Sequence, residues 1–163
     1  MSFAVSAKDL KLVTEQGQIL VPDMAGWELG RDMFGMPYIL FSPRANGQRS
    51  NISLTATGVD VEINLSDMAK NPAAFKEQKQ QWAASVGATV TNHIPYSSRR
   101  NIHDHQIHSI GVEYTHLEKQ YVETSHYIDC RKRLIFAKSL RLKANVDHEM
   151  SFQHLLSELD CGL

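Results

Sequence analysis

The succession of strand patterns between residues 88 and 142 is the feature that most constrains the fold. Within the third pattern, alternation puts Tyr121, Glu123 and Tyr127 on one face of a strand. The turns between the last patterns are short, which favours neighbouring antiparallel strands. This part of the chain is therefore expected to form an antiparallel meander. Its strands are expected at about 88–94, 105–114, 120–129 and 133–142.

Shorter strand patterns occupy the first part of the chain. Pro22 ends an apolar run, and Asn46-Gly47 is a strong turn signal between two later patterns. Gly58 separates two alternating runs and suggests a bulge or a bend. These strands are expected at about 18–22, 27–33, 37–42, 52–56 and 59–65.

Two segments carry helical patterns. Asn71 is expected to cap a mid-chain helix with Pro72 in its first position and Gly87 at its end. Asp147 is expected to cap a second, C-terminal helix. The helices are expected at about 72–86 and 147–160, and the apolar stripe of the second consists of Phe152, Leu155, Leu156 and Leu159. The order of elements predicts an α+β fold, a central antiparallel β-sheet with both helices packed on it.

Charge and hydropathy argue against two classes of partner. The 163 residues carry a formal net charge of −1, so no overall positive field attracts nucleic acid. No run approaches the roughly 20 apolar residues that cross a bilayer. We therefore expect no nucleic-acid partner and no transmembrane segment.

The chain has the length of one domain, which we place at residues 18–163 after an N-terminal segment at 1–17. Val5-Ser6-Ala7 has the small residues that flank a signal-peptide cleavage site. The segment is therefore either the remnant of a signal peptide or a frayed terminus.

Two cysteines, Cys130 and Cys161, form a candidate disulfide. In an oxidising compartment they would pair and close a loop of about 30 residues; in the cytosol they would be free thiols. The chain has no CxxC motif and no Cys–His spacing typical of a zinc site.

Three histidines crowd the stretch "HDHQIH" and raise the question of a metal site. In one continuous strand over residues 102–114, His103 and His105 share a face and His108 points the other way. The three imidazoles can converge only if the strand begins after His105. His103 and His105 are the weak candidate ligands, a third ligand has to come from elsewhere, and no metal is favoured.

The motifs of common enzymes are absent. Ser97, Ser98, His103 and Asp104 include the residue types of a hydrolase, but no G-x-S-x-G elbow surrounds them. Glu113, Glu118 and Glu123 are expected to be solvated charges. Gly-rich phosphate loops are also missing. We therefore expect no catalytic residue, no enzyme activity and no cofactor.

Aromatic residues in the meander suggest a recognition surface. Such a surface requires the pairing of strands to bring the rings together, and that register is open at this point. The candidate binding residues are His108, Tyr114, Tyr121 and Tyr127.

Several stretches together resemble the PsbP-like fold. They are "GWELG", an aromatic strand ending in "SP", "LSDMAKNPAAF", "YVETSHYIDCRKRLIFAKSLRL" and "EMSFQHLLSELDC". The resemblance covers residues 18–161 and rests on element order and aromatic positions. The fold includes the extrinsic photosystem protein, a Ran-binding import factor, DcrB-like envelope proteins and type VI secretion effector chaperones.

The resemblance implies a non-enzymatic binding or assembly protein that uses a sheet face or edge to bind a protein partner. The cysteines would suit an exported member, periplasmic or secreted. Two alternatives stay open. One is a cytosolic chaperone or adaptor for secretion effectors; the other is a metal-binding protein that uses His103 and His105.

Overall fold

A computed structural model describes the backbone of residues 5–6 and, in full, residues 10–57, 70–131 and 133–162. The expected run at 59–65 and the expected bend at Gly58 lie outside the described residues. The strands are β1 Val5–Ser6, β2 Leu10–Thr14, β3 Gly17–Val21, β4 Glu28–Met33, β5 Met36–Ala45, β6 Gln48–Thr57, β7 Thr89–Arg100, β8 Gln106–His116, β9 Lys119–Asp129, β10 Leu134–Leu142 and β11 Asp160–Gly162. The helices are α1 Pro72–Val86 and α2 Val146–Glu158.

The strands form two sheets. The larger has the order β1-β4-β5-β6-β10-β9-β8-β7, and the smaller has the order β11-β3-β2. Every pair of neighbouring strands among the described residues is antiparallel. The expected α+β fold and the meander of β7 to β10 are therefore confirmed.

The turn at Asn46-Gly47 is confirmed as well. Both residues have positive φ, 52° and 76°, and Ala45 pairs directly with Gln48 across the hairpin. Two successive left-handed residues match the twist of the flanking strands, and Asn-Gly adopts that conformation at low cost.

One face of the large sheet packs against α2 and the small sheet, and the main core lies between them. The predicted stripe of α2 is completely buried there, and the Phe152 ring lies edge-on to Trp27 with centroids 5.5 Å apart. Leu12 of β2 and Ile19 of β3 close the core from the small sheet. Neither helix described by the structure is long and apolar enough to cross a membrane.

Helix α1 packs on the opposite face of the large sheet, against its β7 end. Ala83 and Trp82 of the helix pack with Val112 and Tyr114 of β8. The bounds of α1 agree with the predicted ones. Gly87 ends it with a φ of 72°, a left-handed conformation that glycine adopts without strain.

The expected cap position is confirmed for α1 and wrong for α2. Asn71 occupies the cap position of α1, but its side chain makes no capping hydrogen bond. Asp147 lies inside the first turn of α2, because the helix begins at Val146 with Asn145 before it. The Asn145 side chain is used elsewhere, donating to the Ala45 carbonyl and accepting from Asn46. Asp147 still interacts favourably with the positive end of the helix dipole.

The residues after α2 form a strand, where the sequence pattern extended the helix to about residue 160. Asp160–Gly162 pair with β3 from Leu20 to Gln18, which ends the helix at Glu158. A disulfide between Cys130 and Cys161, with Cα atoms 6.0 Å apart, fastens this strand to the end of β9. The Arg133 guanidinium reinforces the junction by donating to the carbonyls of Gln16, Gln18 and Gly162.

Candidate functional site

The four candidate binding residues lie on one face of the large sheet, the face that carries α1. His108 pairs directly with Tyr127 across β8 and β9, and Tyr114 pairs directly with Tyr121. The two pairs are separated by an even number of residues along each strand, so all four side chains point to the same side of the sheet. The structure nevertheless divides them into two groups.

The first group, Tyr114 and Tyr121, lies beneath α1. Their rings stack with centroids 5.3 Å apart, and Trp82 of the helix contacts Tyr114 edge-on at 5.0 Å. Burial, followed by the nearby Glu123 and Tyr121 groups, raises the pKa of the Tyr114 hydroxyl. Tyr114 is thus part of the packing between helix and sheet and offers little surface to a partner.

The second group, His108 and Tyr127, lies away from α1. The Tyr96 hydroxyl is 2.5 Å from His108 Nδ1, and the Tyr127 ring packs on Phe136 of β10 with centroids 5.0 Å apart. Burial lowers the pKa of His108 although Asp129 opposes the shift, and burial raises the pKa of Tyr127. These side chains are half-buried and border open space.

An apolar cleft of about 450 Å³ opens beside Tyr127. None of the described residues that line it is charged. Leu134 and Phe136 share a face of β10, and the pairing of β10 with β6 and β9 brings them beside Tyr127. The lining consists of Gly35, Met36, Pro37, Thr55, Thr57, Tyr127, Leu134 and Phe136.

A second cleft of about 470 Å³ continues this face toward the β4–β5 hairpin. Phe41 pairs with Asn51, Asn51 with Leu140, and Leu140 with Glu123. Because directly paired residues point to the same side of a sheet, Phe41 lies on the same side as Glu123 and Tyr127. Met33 and Phe34 also line the second cleft, and the Arg49 guanidinium lies over the Phe41 ring at 5.3 Å. Arg49 also pairs with Glu28 at 3.2 Å, so this end of the face combines aromatic surface with an ion pair.

A buried ion pair separates the two aromatic groups. Glu123 is only 5% exposed, so the expectation of a solvated charge is wrong for this residue. Lys79 of α1 pairs with its carboxylate, and Lys138 Nζ lies 3.4 Å from the same oxygen. The helix therefore supplies the counter-charge that allows a carboxylate to be buried on the sheet.

His103 and His105 lie before β8, because that strand begins only at Gln106, whereas His108 lies within it. His105 Nε2 is 2.7 Å from Asp160 Oδ1, and His103 Nδ1 is 3.6 Å from Asp160 Oδ2, whereas His108 faces Tyr96. Burial alone would raise the pKa of Asp160. Hydrogen bonds from His105 and the Cys161 amide, with the charges of both histidines, lower it instead.

The hydrolase residue types do not assemble into a relay. His103 is directed to Asp160, and Asp104 pairs with Arg100 at 3.1 Å. Ser97 and Ser98 pair with Ser109 and His108 along β7 and β8. Within residues 70–131 and 133–162, these serine, histidine and aspartate side chains do not form a hydrogen-bonded catalytic triad.

His126 is the most perturbed histidine of the sheet, and it lies on the face that packs against α2. It is 3% exposed and lies between two hydroxyls, Ser109 Oγ at 2.7 Å and Ser139 Oγ at 3.2 Å. Ser139 donates its own proton to the Thr124 carbonyl, so it can accept from Nε2–H while Ser109 donates to Nδ1. This arrangement fits the neutral imidazole. Burial lowers the His126 pKa to about 4, with Glu149 opposing the shift and Arg99 adding to it.

We expect stability to fall on acidification because of His126. The folded pKa lies below the unfolded value, so between pH 6.5 and about 4 the unfolded chain binds a proton that the folded chain excludes. The contribution is fully present above pH 6.5 and amounts to about 3 kcal/mol. Urea unfolding from pH 7 to pH 4 should show a shallower loss of stability for H126Q than for wild type. H154Q, which changes an exposed histidine, should keep the wild-type slope; equal slopes for H126Q and wild type would contradict this assignment.

The solved structures that match the chain over most of its length include two with a TM-score of 0.60 or more. LpqN, involved in cell envelope biogenesis of Mycobacterium tuberculosis, is matched over 100% of this chain and 91% of that chain, with 13% identity and a TM-score of 0.62. Cyanobacterial PsbP (CyanoP) from Synechocystis sp. PCC 6803 is matched over 93% and 91%, with 11% identity and a TM-score of 0.60. No family model and no curated protein matches the sequence. These likenesses concern the fold, and they confirm that it is PsbP-like.

Proposed function

We propose that this PsbP-like chain is a non-enzymatic binding or assembly protein, exported from the cytoplasm, that binds a protein partner on the face of its large sheet that carries α1. This binding face is defined by Met36, Pro37, Tyr127, Leu134 and Phe136. The observation that carries the proposal is the apolar cleft of about 450 Å³ that these residues line.

The composition of the cleft favours apolar side chains of a protein as the occupant. Small polar ligands need convergent hydrogen-bonding or charged groups to orient them. The part of the lining that the structure describes supplies two threonines and no charge. Tyr127 and Phe136 form a packed aromatic pair at its floor. Aromatic residues beside an apolar pocket are typical centres of binding energy in protein interfaces.

The face is a better binding surface than the exposed edge of the sheet at β7. That strand has register irregularities between Val90 and Asn92 and between Ile94 and Ser97. Pro95 lies within it and has no N–H to donate to an added strand. Bulges and proline are features that discourage edge-to-edge pairing.

Two observations support an extracytoplasmic location. The Cys130–Cys161 disulfide is of a kind that persists in oxidising compartments and is rare in the cytosol. One structural neighbour is described as involved in cell envelope biogenesis. Thiol titration of denatured, unreduced protein from its native source tests this part: a paired disulfide supports export, and two free thiols favour the cytosolic chaperone or adaptor instead.

Alanine substitutions in the cleft are expected to weaken partner binding. Y127A and F136A each remove an aromatic anchor, and such truncations cost about 2 kcal/mol or more, roughly a 30-fold loss of affinity. The partner recovered with the full chain from native lysate provides the ligand for calorimetric titration. L117A is the matched control, because Leu117 is an apolar residue that is 80% exposed in the β8–β9 turn, away from the cleft.

Three results would contradict the proposal. One is that no protein is recovered in stoichiometric amount, and another is that both cleft variants bind as tightly as wild type. The third is that L117A weakens binding as much as F136A. Circular dichroism of each variant separates lost binding from lost fold.

A further inference from the structure

Three chain segments meet at the junction of the two sheets and bring together nitrogen and sulfur donors. A ring nitrogen of His105 and the Sγ atoms of Cys130 and Cys161 lie within 4.8 Å of one another. His105 precedes β8, Cys130 follows β9, and Cys161 lies in β11. The group is a side-chain cluster separate from the proposed binding face.

The turn that carries His105 is held in place by Asn101. The Asn101 Oδ1 atom accepts from the amides of His103 and His105 at 3.0 and 3.1 Å. Its amide nitrogen donates to the carbonyls of Leu156 and Leu159 at 3.2 and 2.7 Å. His105 is therefore positioned by a network that ties its turn to the end of α2.

Asp160 orients the His105 ring. Its Oδ1 atom lies 2.7 Å from His105 Nε2 and accepts from the Cys161 amide at 2.8 Å. With Nε2–H donated to the carboxylate, Nδ1 is the nitrogen whose lone pair is available. Histidines that bind metals almost always donate their second ring nitrogen to such a carboxylate or carbonyl.

The donors are those that zinc prefers. Zinc binds thiolate sulfur at about 2.3 Å and imidazole nitrogen at about 2.0–2.1 Å, so tetrahedral ligands lie about 3.5–3.8 Å apart. Opening a disulfide to that spacing separates its sulfurs by only ~1.7 Å more. A ring nitrogen of His105 already lies within 4.8 Å of both sulfur atoms.

We propose that the reduced protein binds one Zn²⁺ ion through Cys130, Cys161 and His105, with Asp160 positioning the imidazole. A dithiol reductant supplies two electrons and two protons to break the S–S bond and itself becomes a disulfide. Zinc then displaces the two thiol protons to solvent. The disulfide and the metal are alternative ways of linking the same two chain segments. Neither requires that the protein partner of the proposed function be bound.

Cobalt and zinc titrations test this site directly. The full chain, with any affinity tag removed, is titrated with Co²⁺ with and without a phosphine reductant, and Zn²⁺ is then added in competition. The reduced protein should bind one equivalent with thiolate-to-cobalt charge-transfer absorption, and Zn²⁺ should displace the cobalt. The oxidised protein should show no such absorption.

Substitutions assign the ligands. D160N should weaken zinc binding about 10- to 100-fold while one equivalent still binds, as expected for a positioning carboxylate. H105Q should weaken binding more than D160N, and C161S should abolish the charge-transfer band. H103Q is the comparison variant: His103 lies 3.6 Å from Asp160 but is not one of the three ligands, so its loss should weaken binding less than D160N does.

Several results would overturn the proposal. They are less than about a tenth of an equivalent bound by reduced protein, equal binding by oxidised protein, or an effect of H103Q as large as that of H105Q. If the reduced protein loses its fold, one equivalent of Zn²⁺ should restore its circular dichroism, and a failure to do so would also contradict the site. H105Q and D160N retain the disulfide, so their folding is checked in the oxidised state.

Discussion

The double variant C130S/C161S is expected to lower the free energy of unfolding by about 3–4 kcal/mol, the loop-entropy value for two cysteines this far apart. Their sequence separation is 31, and the bond ties β11 to the end of β9. Without it, β11 keeps its three paired residues on β3 and the hydrogen bond from Arg133 to the Gly162 carbonyl. We expect the junction to loosen first, with faster amide exchange in β11 than in β9.

Chemical denaturation measures this loss, with a chelator present so that no metal replaces the disulfide. Wild-type protein under reductant is the control and should unfold at the same denaturant concentration as the double variant. A loss below about 1 kcal/mol, or a large difference between the variant and reduced wild type, would contradict the role given to this bond.

The F152A variant should lose about 4 kcal/mol, because large-to-small changes of a buried Phe remove transfer free energy and leave a cavity. Phe152 is 1% exposed and packs edge-on against Trp27, which is also in the core. M150A is the matched control in the same helix: Met150 is 69% exposed, so its loss should stay within about 0.5 kcal/mol. Similar unfolding midpoints for F152A and M150A would contradict the docking of α2 on this face.

Local signals explain which elements could be predicted. Pro72 and Gly87 bracket α1, and the stripe beginning at Phe152 placed α2. Asn46-Gly47 marked the β5–β6 hairpin because its two residues adopt the left-handed conformation readily. Each of these signals acts within a few residues, so a single sequence is enough to identify it.

Long-range pairing explains what could not be predicted. β6 lies beside β10, with Thr57 opposite Leu134, and no local pattern specifies that neighbour. β11 is three residues long, too short for a period to emerge, and it forms only because β3 offers it an edge. The positions of β6 and β11 therefore had to come from the structure.

The candidate site could be predicted only in part, because it too depends on long-range pairing. Alternation placed Tyr127 and Glu123 on one face, but not the cleft beside Tyr127 or the lysine of α1 that covers Glu123. For the histidines, the start of β8 at Gln106 decided the outcome, because it left His105 in a turn that faces Asp160 and the disulfide. Neither the strands that neighbour β9 nor the first residue of β8 is specified by a local sequence pattern.

Site-specific photo-crosslinking in the native cells tests most directly whether the binding face contacts a protein. A benzophenone amino acid is placed at Tyr127 in the full chain and, as a control, at Leu117. We expect one dominant protein adduct at Tyr127 that is lost when F136A is added, and none at Leu117. Adducts at Leu117 but not at Tyr127, or a Tyr127 adduct that F136A leaves unchanged, would contradict this expectation.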